Sequence, residues 1–210
     1  MFPLGDETRR PRNYPAVTVL IIGINAIVFL LEIANGEAFV GRWSLVPAHI
    51  VAGHDLATLF SSMFMHGSWL HFGGNMIYLW AFGPVMEDCM GRARYAGFYV
   101  LGGLAAMATQ VVGDPHSAVP VLGASGAIAA VMGGFLITFP GDRIRTVIFL
   151  GLFTRLALVP AVALIGFWLL LQLVSVGAVS GAEGQGGVAY LAHVGGAVFG
   201  LATARLFERR

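Results

Sequence analysis

The sequence predicts an all-α membrane protein in which one domain, residues 1–210, crosses the bilayer six times. The composition is the first observation: 57% of residues are hydrophobic and 11% are charged, whereas a soluble domain is about half apolar and about a quarter charged. The second is a series of apolar stretches of about 20 residues, the length that spans the hydrocarbon layer. The third is the distribution of arginine, which favours a single orientation.

Six apolar stretches are separated by turn residues. They lie at 14–33, 71–90, 95–112, 121–139, 156–179 and 188–207. The breaks include Asn35-Gly36, Gly113-Asp114-Pro115 and Pro140-Gly141-Asp142, which are typical of loops. Glycine occurs 29 times, about twice its usual share, and in an apolar chain this favours closely packed helices. We expect no separate soluble domain beyond a cytoplasmic N-terminal segment at 1–13.

The basic residues predict the orientation, because short cytoplasmic loops are enriched in Lys and Arg. With the N-terminus in the cytoplasm, 11 of the 12 basic residues fall on the cytoplasmic side, and only Arg42 lies outside. Both termini are then cytoplasmic. The net charge of +1 and the scattered basic groups do not indicate a nucleic-acid partner. Cys89 is the only cysteine, which excludes an intramolecular disulfide and a thiolate metal cage.

The segment 36–70 is too long for a turn and too polar to span. It mixes apolar residues such as Phe39 and Trp43 with Arg42, His49 and Asp55. This composition favours an amphipathic segment, loop 1, lying in the outer membrane interface. A soluble loop is the alternative.

Four polar residues inside the spans fall at one predicted depth. His71, Asn75, Ser125 and His193 lie in the first turns of spans two, four and six, which all run from outside to inside. Buried polar groups in a membrane are costly unless they pair or line water. Each has a structural explanation as well: a serine can bond to its own helix, a histidine can pack or relay protons, and the His71–Asn75 pair can link helices. Their shared depth favours a joint site.

The residues flanking Ser125 and His193 allow close packing. Ser125 lies in Gly123-Ala124-Ser125-Gly126, and His193 is followed by Gly196 and Gly200 at GxxxG spacing. Two small-residue surfaces could bring the hydroxyl and the imidazole within hydrogen-bond reach. A serine nucleophile needs such a base, because its hydroxyl is weak until a proton is removed.

These motifs resemble the rhomboid family of intramembrane serine proteases. The resemblance rests on Gly-x-Ser-Gly at 123–126, Ala-His-x-Gly-Gly at 192–196 and the HxxxN spacing of His71 and Asn75, preceded by Met65-His66-Gly67. It covers nearly the whole chain from the first span onward. It implies a six-helix, rhomboid-like bundle around a cavity that opens to the extracytoplasmic side.

The resemblance also implies residue roles. Ser125 would be the nucleophile and His193 the general base, while His71, Asn75 and the backbone N–H of Ser125 would stabilise the oxyanion. No Asp or Glu lies near His193 in sequence, so a dyad without a third member is expected. Glu87 matches an acidic position of the family and is expected to be structural. No cofactor or metal is implied.

Two positions depart from the family pattern. Many members carry a Trp-Arg pair before the HxxxN helix, where this chain has Leu56-Ala57-Thr58-Leu59-Phe60. Some place an aromatic ring one turn after the serine, where this chain has Ala129. The sequence therefore leaves open how loop 1 is anchored and what holds the imidazole of His193.

The function implied is hydrolysis of peptide bonds in or near transmembrane segments of other membrane proteins, through an acyl-enzyme on Ser125. The partners would be transmembrane substrates and the lipid bilayer, in a bacterial inner (plasma) membrane. Substrates would enter laterally, with the fifth span, including Phe167 and Trp168, as gate and the glycine-rich stretch 181–187 as cap.

Other classes fit less well. No HExxH or GxGD motif occurs, which argues against zinc and aspartyl intramembrane proteases. A proton-relay transporter would need charged residues in mid-span or paired repeats. The main alternative is a non-catalytic rhomboid-like protein that binds or chaperones transmembrane helices; such relatives typically lack the serine or the histidine.

Overall fold

The computed structural model describes residues 1–150, 153–179 and 189–209, and within them the chain is mainly helical. The longer helices are α1 Ala16–Trp43, α4 Trp69–Met90, α5 Arg92–Gly113, α6 Ser125–Thr138, α7 Ala161–Val179 and α8 Tyr190–Phe207. Between α1 and α4 lie the short helices α2 Pro47–Val51 and α3 Thr58–Ser61 and a 3-10 helix, Ser62–Phe64.

The long helices coincide in position with the six predicted spans, but the span count is only partly supported. Among the described residues, α1, α5 and α8 are long and apolar enough to cross a membrane. Helix α6 has 14 residues, which at 1.5 Å per residue makes it about 21 Å long, shorter than the hydrocarbon layer of about 30 Å. The count of six spans and the orientation of the termini stay predictions.

The prediction of an all-α chain is wrong at three segments. Strands β1 Phe2–Asp6, β2 Arg143–Leu150 and β3 Phe153–Pro160 form an antiparallel sheet in the order β1-β2-β3. Along β2, Ile144 and Thr146 are buried while Arg143 and Arg145 are exposed. This alternation is the period of two that a half-buried strand requires. From the sequence, the residues of β2 are predicted to form a cytoplasmic loop.

The sheet also corrects where the fifth helix begins. The predicted span starts at residue 156, but Leu156 and Leu158 belong to β3, where they pair with Val147 and Arg145. Helix α7 begins only at Ala161, directly after Pro160. A short apolar run can be a buried strand or the start of a helix, and hydropathy alone does not separate the two.

Loop 1 is more helical than predicted. Helix α1 is kinked at Gly36, with φ 64° and ψ −151°, and then continues to Trp43. The predicted break at Asn35-Gly36 is therefore present, but as a kink within a longer helix. Backbone hydrogen bonds between Leu45 and Val121, at 2.9 and 2.7 Å, then join loop 1 to the segment that leads into α6. The position of loop 1 relative to a membrane surface stays a prediction.

Helices α6 and α8 touch through their backbones. A Cβ added at Gly196 would collide with the carbonyl oxygen of Gly126, and one at Gly200 would collide with that of Ala130. From the other side, a Cβ at Gly133 would collide with the carbonyl oxygen of Ala197. The predicted GxxxG packing is thus confirmed as a contact between these two helices, and it brings the first turns of α6 and α8 together.

Two buried carboxylates accept hydrogen bonds from the backbone of neighbouring segments. Glu87, near the end of α4, accepts hydrogen bonds from the backbone N–H of Val17 at 3.0 Å and from the N–H and hydroxyl of Thr18, both at 2.8 Å. It thereby satisfies free donors in the first turn of α1. Glu32 accepts from the N–H of His66 at 3.0 and 3.1 Å. The contacts of Glu87 agree with the structural role predicted for it.

Candidate active site

Ser125 is the first residue of α6, and a non-helical segment leads into this helix. Gly123, with φ +139°, turns the chain immediately before it, a conformation that L-residues with a Cβ rarely adopt. The N–H of Gly123 donates to the carbonyl of Ser62 at 2.9 Å, which fixes this turn against the 3-10 helix. A side chain at Gly123 would also meet the ring of His71, whose Cε1 lies 2.9 Å from the position of an added Cβ. The hydroxyl of Ser125 and the ring of His71 therefore border the same small space beside Gly123.

His193 lies in the first turn of α8 and is buried, with 7% of its surface exposed. Its Nε2 lies 2.7 Å from Oγ of Ser125. Its Nδ1 lies 2.7 Å from Oε1 of Gln172, a residue of α7. The two helices that meet through glycine thus hold the alcohol and the imidazole in hydrogen-bond contact, as the sequence predicted.

Aromatic rings enclose the imidazole on the side of α7 and α8. The ring of Trp168 lies 5.5 Å from that of His193 with an interplanar angle of 41°, and the ring of Tyr190 lies at 6.4 Å, close to perpendicular at 85°. The sequence left open what supports His193 in a chain with Ala129 one turn after the serine. The support comes from another helix: α7 supplies Trp168 and Gln172.

Gln172 is the site residue that sequence reasoning missed. A signal was present, because in α7 it is one of two polar side chains, with Ser175, in an otherwise apolar helix. A buried amide in apolar surroundings is costly without a partner. That cost could have marked Gln172 as a residue with a specific contact.

The predicted oxyanion residues do not occupy equivalent positions. His71 lines a cavity of about 580 Å³ together with Ser125 and His193. Asn75, one turn further along α4, is buried and does not line that cavity. Its Nδ2 has no hydrogen-bond partner among the described residues. The structure therefore brings His71, Ser125 and His193 together and places Asn75 outside the cavity, with an amide donor that no described residue accepts.

The wall of the cavity beside His71 includes loop 1 and the approach to α6. The chain at Gly67, Ser68 and Leu70 forms one side, and residues 119–122 form the other. His66 packs behind His71, with ring centroids 5.2 Å apart, and both of its ring nitrogens are buried without a partner among the described residues. Burial, and secondly the neighbouring His71, lower the pKa of His66 to about 3, so this imidazole is neutral near pH 7.

A different surface lies at the other ends of these helices. The sheet and the N-terminal segment meet there, with Arg9 paired to Asp142 at 2.5 Å and Arg145 paired to Glu7 at 3.2 Å. Arg205, in the last turn of α8, pairs with Glu208 at 3.5 Å. The candidate active site and the basic residues therefore lie at opposite ends of α6 and α8.

The fold and the site define a class of protein: a bundle of apolar helices, of the membrane-protein type, that holds a serine hydroxyl against an imidazole. A family model described as Rhomboid domain matches residues 53–210. The chain belongs to the rhomboid family.

Individual relatives agree with this assignment. The chain is 28% identical over 196 residues to "Rhomboid protein 1, mitochondrial" of Saccharomyces cerevisiae, covering 91% of this chain and 52% of the relative. It is 33% identical over 95 residues to "Presenilin-associated rhomboid-like protein, mitochondrial" of Homo sapiens, covering 44% and 25%. It is 28% identical over 131 residues to "Putative rhomboid protease YdcA" of Bacillus subtilis, covering 60% and 63%. The chain thus spans about half the length of the yeast relative and a quarter of the human one.

Proposed function

We propose that the protein is an intramembrane serine endopeptidase that hydrolyses peptide bonds in or near transmembrane segments of other membrane proteins. The observation that carries this proposal is the 2.7 Å contact between Oγ of Ser125 and Nε2 of His193 beside an open cavity. A hydroxyl in direct contact with a base is the minimum that nucleophilic catalysis by serine requires. Membership of the rhomboid family supports the same reaction class.

The reaction would proceed in two stages. Nε2 of His193 takes the proton of Ser125 as Oγ attacks the peptide carbonyl carbon, and it then gives that proton to the departing amine. This leaves an acyl-enzyme ester on Ser125. A water molecule, deprotonated by the same nitrogen, attacks the ester, and the carboxylic product leaves as the hydroxyl regains its proton.

Oxyanion stabilisation would come from α4 and the start of α6. His71 shares the cavity with Ser125, and the backbone N–H of Ser125 lies in the first turn of α6, where amides lack intrahelical acceptors. The Nδ2 of Asn75 donates to no residue in the described part of the chain, and this supports a role for its amide once substrate is bound. Hydrogen-bond donors that are already oriented toward the position of the developing oxyanion lower the activation barrier.

The substrate would be a helix that unwinds locally. Helical backbone is resistant to attack because its carbonyls are hydrogen-bonded, so a segment must open before it can reach Ser125. This requirement favours substrates with small or helix-breaking residues near the cleavage site. Lateral access past α7 is supported by Phe167, which is 49% exposed on that helix. The predicted cap at 181–187 lies outside the described residues.

The proposed topology has six spans, with both termini in the cytoplasm and the cavity opening to the extracytoplasmic side of a bacterial plasma membrane. It is supported by the separation of the catalytic pair from Arg9, Arg145 and Arg205 at the opposite end of the bundle. The mitochondrial names of two relatives make a mitochondrial membrane the alternative setting.

A fluorophosphonate probe tests the proposal directly. The purified wild type should be labelled covalently, and Ser125→Ala should lose the label while Ser117→Ala keeps it. A wild type that stays unlabelled and leaves a panel of transmembrane substrates uncut, in detergent and in liposomes, would favour a non-catalytic binder of transmembrane helices.

A further inference from the structure

The amide of Gln172 has two hydrogen-bond partners that together define its orientation. Gln172 is buried, with 9% exposed, and its Oε1 lies 2.7 Å from Nδ1 of His193. Its Nε2 donates to the carbonyl oxygen of Trp168, one turn earlier in α7, at 3.4 Å. If the amide were flipped, its oxygen would face the Trp168 carbonyl, and two acceptors would oppose each other. The backbone of α7 therefore points the amide oxygen at His193.

That orientation selects one tautomer of the imidazole. An amide oxygen only accepts hydrogen bonds, so it favours the form of His193 that carries its proton on Nδ1. Nε2 is then the nitrogen with the free lone pair, and it faces Oγ of Ser125 at 2.7 Å. In the other tautomer Nε2 would donate to the hydroxyl and could not remove its proton. The two forms are close in energy for a free imidazole, so the partner of Nδ1 decides between them.

We propose that Gln172 is the positioning residue of the peptidase, holding His193 in its Nδ1–H tautomer and fixing the plane of its ring. This inference rests on the proposed function. It replaces the expected dyad by a chain of three groups from three helices: Ser125, His193 and Gln172. An amide suits this depth, because a neutral acceptor is less costly to bury among apolar residues than a carboxylate.

Kinetics of matched variants test the catalytic consequence. Gln172→Met keeps the volume and removes the acceptor, and kcat should fall about 10- to 100-fold, by analogy with the loss of an orienting partner of a metal-binding histidine, while KM stays nearly constant. Gln172→Glu restores an acceptor and should recover part of that loss. Leu171→Met, on the exposed face of the same helix, is the control and should match the wild type.

The tautomer itself can be observed without turnover. Nitrogen-15 NMR of histidine-labelled protein in micelles, with His193→Ala used to assign the signal, should show Nδ1 of His193 protonated in the wild type. In Gln172→Met, the signal should move toward a mixture of tautomers. This measurement tests the role of Gln172 separately from the proposed peptidase activity, because the tautomer of His193 can be observed whether or not the protein cleaves a substrate.

Two results would overturn the role of Gln172. One is a Gln172→Met protein that melts at the wild-type temperature and keeps its kcat. The other is an unchanged tautomer signal in that variant. Failure of the wild type to react with the fluorophosphonate probe would instead reject the peptidase and leave the tautomer result standing.

Discussion

Oγ of Ser125 and Nε2 of His193 lie 2.7 Å apart, although the two residues are separated by 68 positions in the chain. Each is in the first turn of its helix, and α6 and α8 approach closely enough for backbone to touch backbone at Gly196. The contact between the hydroxyl and the imidazole is therefore a product of helix packing, and its proposed catalytic role can be tested through either the two side chains or the glycines.

Replacing either member of the pair should abolish turnover. Ser125→Ala and His193→Ala should each lower kcat by at least about 10³-fold, since residues that act as one unit are lost together. The double variant should be no worse than either single one. Cleavage of a transmembrane substrate in liposomes is the measurement, with His116→Ala, an exposed loop histidine, as control. Losses that multiply in the double variant would contradict a shared step.

Adding a methyl group between α6 and α8 should cost both stability and activity. Gly200→Ala places a Cβ against the carbonyl oxygen of Ala130, and overpacking of this kind costs about 1–3 kcal/mol. Thermal unfolding in detergent should show a lower Tm and cleavage should fall with it. Gly97→Ala in α5, where an added Cβ meets nothing within 4 Å, should leave both unchanged.

Removing the Glu87 carboxylate should loosen the start of α1. Glu87→Ala leaves the N–H groups of Val17 and Thr18 without their acceptor. The donor of Thr18 is buried, and a buried unsatisfied donor costs about 1–3 kcal/mol. Tm should fall substantially, while any folded fraction keeps its reactivity with a fluorophosphonate. The exposed Glu37→Ala is the matched control. Selective loss of reactivity in well-folded Glu87→Ala protein would argue against a purely structural role.

The N-terminal sheet should show a specific pH dependence. Burial raises the pKa of Asp6 above 3.8, and the nearby Asp142 acts in the same direction, against the hydrogen bonds from Thr8 and Arg9. A carboxyl group whose folded pKa is raised stabilises the fold when protonated, and that stability is lost as pH rises through the folded pKa. The stability of wild type relative to Asp6→Asn should therefore decrease from about pH 3.8 upward.

Melting curves of the two proteins at a series of pH values measure that difference. Asp114→Asn, in an exposed loop, controls for the general titration of carboxylates. A difference that grows in the opposite direction would mean that Asp6 is stabilised as a carboxylate.

The proposed orientation predicts which residues are accessible from each side. In a Cys89→Ala background, His116→Cys and Arg94→Cys place exposed thiols at opposite ends of α5. A membrane-impermeant maleimide should label His116→Cys in intact spheroplasts and Arg94→Cys only after permeabilisation. The reverse pattern would invert the topology.

The sequence was sufficient to predict the contact between Ser125 and His193, but not the contacts that support His193. Contact between Ser125 and His193 could be predicted because each lies beside small residues and both fall at the same predicted depth. Gln172 could not, because its contact depends on how α7 is rotated and placed against α8, and helical periodicity within one segment does not specify that. The same limit applies to the contact of Trp168 with His193, which the sequence does not predict, while its place in a gate stays a prediction.

The sheet was missed for a different reason. Residues 156–160 are apolar enough to extend a predicted span. In the structure they pair with β2. Arg143 and Arg145 made a loop the natural prediction for the residues of β2. In β1, Pro3 and Gly5 are poor strand formers, and the register shifts between them. Long-range pairing, here between the first residues and residues 144–147, is not visible in local patterns.

Helix α7 both borders the proposed route for substrates and carries Trp168 and Gln172, the two side chains that brace His193. Any tilt of α7 wide enough to admit a helix would withdraw that bracing. Hydrolysis would then require α7 to return to its place after a substrate has entered. Segments that enter only briefly, while α7 is displaced, would leave without being cleaved.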